Sequence, residues 1–225
     1  MIEQGSIEWH RQRIGMFTSS HLGDLMTTSK TKGQEFGDTA MAYIYKIAAE
    51  RTTRKEFLEG AGFEMYLDRV NQTSKPIRWG NDFEDSAREE FSNSIGLTVN
   101  KAEFVKVNDY FGDSSDGWVE NKEEEIIPIE IKCPAPATYK RYQQMKNGID
   151  LLDCSKETKN YYYQCQGHMI AYGSDYCNFI AYDPMQFNPI HSVIVERDNA
   201  LIELIEERLL KANELVNEIN NYKHS

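Results

Sequence analysis

The sequence has no run of about 18 apolar residues, so no membrane-spanning helix is expected. Its first ten residues, Met1 to His10, lack the basic-then-apolar order of an export signal. A cytoplasmic protein with no membrane partner is the expectation. Cysteine is scarce: Cys133, Cys154, Cys165 and Cys177 are the full set, and no two are spaced as CxxC. Those spacings fit neither a zinc ribbon nor a cysteine-ligated cluster, and reduced thiols are expected. Internal repeats and long Pro/Gly/Ser linkers are missing too, so the 225 residues read as a single domain, 1–225. Positive charge is in deficit. With 25 Lys+Arg against 36 Asp+Glu the net charge is −11, so the surface as a whole repels nucleic acid and any contact with a polyanion must be local.

What is present is uneven in charge. Residues 1–55 hold eight Lys/Arg and six Asp/Glu. The segment 113–130 holds seven acids against Lys122 alone, whereas 131–149 has no acid and carries Lys132, Lys140, Arg141 and Lys146. An acidic cluster suited to a cation therefore sits directly before a basic stretch suited to a polyanion.

Periodicity supplies a coarse fold. Thr39 to Glu50 and Asp82 to Asn93 read as helices, the second because Phe83, Ala87 and Phe91 recur every four residues. Glu103 to Val107, Gly117 to Glu120 and Ile126 to Lys132 read as strands, with Asn121 to Glu125 as the exposed turn joining the last two. Tyr161 to Tyr172 reads as a buried helix, then Cys177 to Tyr182 and His191 to Glu196 as strands. From Asn199 to Tyr222 there is no Gly or Pro, and Leu201, Leu204, Ile205, Leu209, Ala212, Val216 and Ile219 mark one apolar face of a long terminal helix. The expectation is an α/β fold: a mixed central sheet flanked by helices, with a long C-terminal helix. Gln34 to Ser74 is read only as helices and a DNA-contacting loop, with Lys30, Lys32, Arg51, Arg54 and Lys55 as contact candidates.

The sharpest signal is Asp116, followed fourteen residues later by Glu130-Ile131-Lys132. Strand alternation puts Glu130 and Lys132 on one face and Ile131 on the other, and a hairpin brings Asp116 beside them. Two carboxylates so close repel unless protonated or bridged by a cation, and hard oxygen ligands suit Mg²⁺. Lys132 would orient a bound water or stabilise phosphoryl charge, since work as a base requires a large fall from its reference pKa of about 10.4. A solvated hairpin could carry the same residues, with an ion pair worth under about 1 kcal/mol. Ile126, Ile127, Ile129 and Ile131 argue instead for a strand packed into a core, where unpaired charge is costly.

The pattern Ser115-Asp116-Gly117, then Ile129-Glu130-Ile131-Lys132-Cys133-Pro134, resembles the PD-(D/E)xK nuclease core, with Ser115 where the motif has proline. The whole chain from about Glu8 onward is similar to the lambda exonuclease and YqaJ-type viral recombinase family. Trp9 to Gly15 with Thr18-Ser19-Ser20, Trp79-Gly80 with Phe83-Glu84, Tyr161 with Gln164 and Gln166, Tyr182-Asp183-Pro184, and Val195 to Asp198 all carry the likeness. The resemblance implies a restriction-endonuclease-like core and a Mg²⁺-dependent 5′ to 3′ exodeoxyribonuclease, with Mn²⁺ as a substitute. Asp116, Glu130, the Ile131 carbonyl and Glu84 would hold the metal, and Lys132 would be the catalytic lysine. Gln164, ahead of Gln166, would hold the water or the scissile phosphate. Arg13, Thr18 and Ser20 would receive a 5′-phosphate, a role that suits a guanidinium and hydroxyls beside free backbone N–H groups. His10 reads as packed against Trp9.

The same resemblance implies double-stranded DNA as substrate, a single-stranded 3′ tail as product and a homotrimeric ring. It also implies a single-strand annealing protein as partner and a phage or prophage origin in a bacterial host. Two rivals remain at this stage, a non-catalytic DNA-end-binding protein and an iron-sulfur exonuclease of the same superfamily.

Overall fold

A computed structural model describes residue 2 and residues 4–70 and 75–222. Its helices are α1 (Ile7–Arg13), α2 (Leu22–Leu25), α3 (Asp38–Arg51), α4 (Gly60–Val70), α5 (Lys75–Ile95), α6 (Pro136–Tyr142), α7 (Asp150–Cys154), α8 (Lys156–Tyr172) and α9 (Asn199–Asn221). Its strands are β1 (Phe17–Thr18), β2 (Val105–Lys106), β3 (Phe111–Asp113), β4 (Gly117–Glu120), β5 (Ile126–Lys132), β6 (Tyr176–Tyr182) and β7 (Ile190–Glu196). The class is mixed α/β with helices flanking the sheets, as the sequence implies.

The strands form two sheets where one was expected. A four-stranded sheet runs β4-β5-β6-β7, with β5 and β6 parallel and the outer pairings antiparallel; a small sheet runs β1-β3-β2. The small strands are two or three residues long, too short for alternation to reveal, and Glu103 to Val107 contributes only Val105–Lys106. The β4–β5 turn falls where predicted. Asn121 Oδ1 accepts from the backbone N–H groups of Glu123 and Glu125, and Glu124 takes a left-handed φ of 63°.

Two helices begin earlier than apolar spacing suggested. Helix α8 starts at a capping box: the Ser155 hydroxyl accepts from Thr158 N–H at 3.1 Å and Thr158 Oγ1 accepts from Ser155 N–H at 2.9 Å. It stops at Gly173, φ 65°, a conformation cheap only for glycine. Helix α5 reaches back to Lys75, with Pro76 in its first turn where a missing N–H costs nothing. Within Gln34 to Ser74 the chain forms α3, a 3₁₀ turn at Lys55–Phe57 and α4, while residues 71–74 lie outside the described residues.

Helix α9 packs across α3 and α2, burying Ile205, Leu209, Ala212 and Val216 with Phe17, Leu22, Ile44 and Ile47. Leu204, read as part of this face, is 45% exposed, because it lies roughly 100° of arc from the stripe's centre. Arg208 is buried in its place and donates to the carbonyls of Leu25 (2.8 Å) and Thr27 (3.0 Å). A second core lies between α6, α7, α8 and the sheet, and a third joins Ala87 and Phe91 of α5 to Ile129, Ile131 and Ile180. Strand β5 is therefore covered on both faces, its isoleucines toward α5 and its charged residues toward α8.

Candidate active site

The alternation of β5 decides where its charges go. Glu130 is fully buried and Lys132 half-buried on the face toward α8, while Ile129 and Ile131 pack against α5. Asp116 stands one residue before β4. Its N–H donates to the Ile129 carbonyl at 3.1 Å, and its Oδ2 accepts from the Ile131 N–H at 2.7 Å. The hairpin thus brings Asp116, Glu130 and Lys132 together.

Glu130 is held from several sides. Its Oε2 accepts from Gln164 Nε2 at 2.9 Å and lies 2.8 Å from His168 Nε2. Its Oε1 has no partner in hydrogen-bonding geometry, and the Lys132 ammonium lies against it as an ion pair. Burial works to raise the Glu130 pKa, but Lys132 and His168 outweigh it and hold the group below the usual carboxylate range. Burial likewise works to lower the Lys132 pKa; Glu130 and Asp116 overcome it, so the amine stays protonated. For Asp116 the balance goes the other way: burial first, then the Glu130 charge, outweigh Lys132 and the Ile131 N–H and push its pKa up to about 8. The Tyr161 ring lies 5.0 Å from the Lys132 ammonium and its hydroxyl donates to Glu157 at 2.6 Å.

Glu84, on α5, lines the same cavity but is drawn to Arg88, 2.5 Å away, and Arg88 also donates to the Asp116 carbonyl at 2.7 Å. Among the described residues, no three His, Cys, Asp or Glu side chains gather as a metal-binding group. Glu84 is paired with Arg88, yet its charge still acts on Asp116 and works to raise that group's pKa. The four cysteines are free; Cys165 and Cys177 are buried in the same core with Cys154 packed against it, as part of the packing between α8 and the sheet.

Arg13, Ser20, Glu84, Asp116, Lys132 and Gln164 line one cavity of about 900 Å³. Arg13 stacks its guanidinium 4.0 Å from the Trp9 ring centre and lies 3.5 Å from Ser20 Oγ, which is 3.2 Å from Thr18 Oγ1. Thr18 is buried and reaches the cavity wall only through Ser20. Trp9 donates its indole N–H to Ser114 Oγ at 3.0 Å, fixing α1 to the β3–β4 junction beside Asp116. His10 packs edge-on to Trp9, 4.8 Å between ring centres, and partial burial, Arg13 and Lys46 lower its pKa. Gln166 is not at the cavity: it donates to the Glu196 carbonyl and accepts from Asp198 N–H. Arg51 is not free for DNA, since it donates to the Gly15 carbonyl at 2.8 Å and to Asn213 at 2.7 Å. Arg54 pairs with Glu56 at 3.3 Å, whereas Lys30, Lys32 and Lys55 are exposed.

Sequence reasoning missed Asp113, His168 and Arg88. Asp113 and His168 are fully buried, and His168 Nδ1 lies 2.7 Å from Asp113 Oδ1. The signal was available in spacing: His168 follows Gln164 by four residues and Arg88 follows Glu84 by four, each pair sharing a helix face.

Fold and site together define a class: an α/β protein whose central hairpin presents an Asp and a Lys, backed by a buried Glu, to a cavity walled by an arginine and a serine. Residues 8–175 match the model of the YqaJ-like viral recombinase domain, and the chain belongs to that family. An alkaline exonuclease of Laribacter hongkongensis has the same fold, with a TM-score of 0.71 at 24% identity over 96% of this chain and 95% of that one. A second structure of that enzyme, in complex with dAMP, matches with a TM-score of 0.71 at 23% identity over the same shares. A phage-related exonuclease of Haemophilus somnus 129PT matches with a TM-score of 0.66 at 19% identity, over 91% of this chain and 94% of that one. No curated protein matches in sequence.

Proposed function

We propose that the chain is a divalent-metal-dependent exodeoxyribonuclease that digests double-stranded DNA 5′ to 3′, releases 5′-mononucleotides and leaves a 3′ single-stranded tail. The observation that carries this reading is that Asp116 and Lys132 line the same cavity as Arg13 and Ser20, with Glu130 buried behind them against Lys132. Family membership and the exonuclease folds it shares support it.

The donor set fits a hard cation. Glu130 Oε1 is a buried carboxylate oxygen held only by the Lys132 ion pair, Asp116 is a carboxyl raised to about 8 by burial and then by the Glu130 charge, and a cation between the two would favour both charged forms. Asp116, Glu130 and the Ile131 carbonyl would hold Mg²⁺, or Mn²⁺ in its place, with Glu84 as an outer carboxylate. Such an ion polarises the phosphate and makes water a stronger nucleophile at neutral pH. Lys132, kept protonated, stabilises charge on the phosphoryl oxygens and orients the water; it is not the base. Gln164 spends its amide N–H on Glu130, which leaves its carbonyl oxygen as the group that can accept from water. Arg13 and Ser20, with Thr18 supporting Ser20, grip the terminal 5′-phosphate one nucleotide from the reacting bond. Water adds to phosphorus, the bond to the 3′-oxygen of the terminal nucleotide breaks, and the shortened strand carries a new 5′-phosphate into the same grip.

A single domain, a trimeric ring around the duplex, a single-strand annealing protein that receives the tail, and phage-borne expression in bacterial cytoplasm complete the reading. Among the described residues no helix is long and apolar enough to cross a membrane. The test is nucleotide release from linear duplex DNA with Mg²⁺, with and without a 5′-phosphate. Lys132→Ala should lower kcat by about two to three orders of magnitude with KM little changed. Arg13→Gln should erase the preference for the 5′-phosphate. Equal release by wild type and Lys132→Ala overturns the enzyme reading and leaves DNA-end binding.

A further inference from the structure

Asp113 and His168 have no part in the chemistry so far, yet both are fully buried and joined to its central carboxylate. The imidazole is clamped: Nδ1 is 2.7 Å from Asp113 Oδ1 and Nε2 is 2.8 Å from Glu130 Oε2. Gln164, one helical turn earlier, adds a second donor to that same oxygen at 2.9 Å. Glu130 Oε2 is therefore saturated by α8, and the carboxylate cannot turn about its own axis without breaking both bonds. Oε1 takes no donor from α8 and faces Asp116 and the Lys132 ammonium, its ion-pair partner.

We propose that His168 and Asp113 are positioning residues, which commit Glu130 Oε2 to the protein so that Oε1 alone is presented to the cation. This rests on the metal-dependent nuclease reading above. The residues touch neither substrate nor ion; they act by fixing the orientation of a ligand. Asp113 Oδ2 has no partner of its own, so the aspartate's single hydrogen bond goes to the histidine ring. A ligand held this way loses little freedom on binding an ion, and removal of such outer support typically weakens metal binding by about 10–100-fold.

The test measures Mn²⁺ binding directly, by the electron paramagnetic resonance signal of free Mn²⁺ in the absence of DNA, alongside thermal melts. His168→Leu removes the donor to Glu130 and should weaken Mn²⁺ binding by about tenfold or more. His168→Gln keeps an amide N–H able to reach Oε2 and should recover most of that loss, while KM for DNA stays unchanged in both. Asp113→Asn, one step removed and nearly isosteric, should weaken Mn²⁺ binding by a smaller factor, and it serves if His168→Leu fails to fold. Variants that melt lower but bind Mn²⁺ as tightly as wild type overturn the proposal and leave a purely structural cluster. A wild type that itself binds no Mn²⁺ sinks both the metal reading and this inference, and is thereby distinguishable from failure of the positioning role alone.

Discussion

At the scale of single residues, the site is a problem in burying charge. Glu130, Asp113 and His168 are fully buried and Asp116 nearly so, and Asp116, with one backbone N–H on its carboxylate, is the one whose burial outweighs its partners. Asp116 therefore carries a pH signature. Its folded pKa, near 8, lies above the unfolded value near 4, so between those limits the folded state binds the extra proton. Stability of the metal-free protein should then fall as pH rises from 5 to 8, by at most about 1.4 kcal/mol per unit from this group. Urea titrations in chelator at both pH values check this, and Asp116→Asn should flatten the difference. A wild type equally stable at the two values would contradict the assigned burial. Asp116, Glu130 and Lys132 were legible in sequence because strand alternation fixes which side chains share a face. His168 shows in the sequence only as sharing a helix face with Gln164, and its pairing with Asp113 does not show, since nothing in a single chain pairs residues 55 apart on a short strand and a helix.

At the scale of elements, α8 organises the molecule. It delivers Gln164 and His168 to β5 from one face, and at Gly167 it closes on the turn after β1. A Cβ there would meet Ser19 Oγ at 2.5 Å and Leu22 Cδ1 at 2.6 Å. Gly167→Ala should cost about 1–3 kcal/mol by overpacking and push the Ser20 wall away from the carboxylates. A melt and the 5′-phosphate preference read the two effects; an unchanged preference would show that the walls are not coupled through this contact. Elements with strong periodicity, α3, β5, β6, β7 and α9, were readable to within a few residues. The start of α8 was misplaced at its aromatic run because a capping box, Ser155 and Thr158, lies outside the apolar pattern. Strands β1 and β3 escaped altogether: two or three residues with no alternation carry no period, and only pairing in the small sheet, β1 with β3 and β3 with β2, makes them strands.

At the scale of the whole molecule, a net charge of −11 must be reconciled with a polyanionic substrate. Local cations at the cavity, Arg13 and Lys132, rather than a basic exterior, have to supply the grip. Binding of duplex ends should then weaken linearly in log–log terms as salt rises, with a shallow slope set by the few phosphates neutralised, roughly 0.9 per phosphate. Filter binding or fluorescence anisotropy between 50 and 200 mM NaCl, about the range over which such effects are usually resolved, checks it, and a flat line would count against DNA as ligand.

The clamp between α8 and β5 also separates what can be altered from what cannot. Apolar seams absorb small shifts of a helix by repacking; a carboxylate gripped by two side chains one turn apart does not. Mutational surveys of that seam should find turnover and heat tolerance lost together. The wall formed by half-buried Arg13 and exposed Ser20 bears no comparable folding duty, and there strand-end preference is open to redesign.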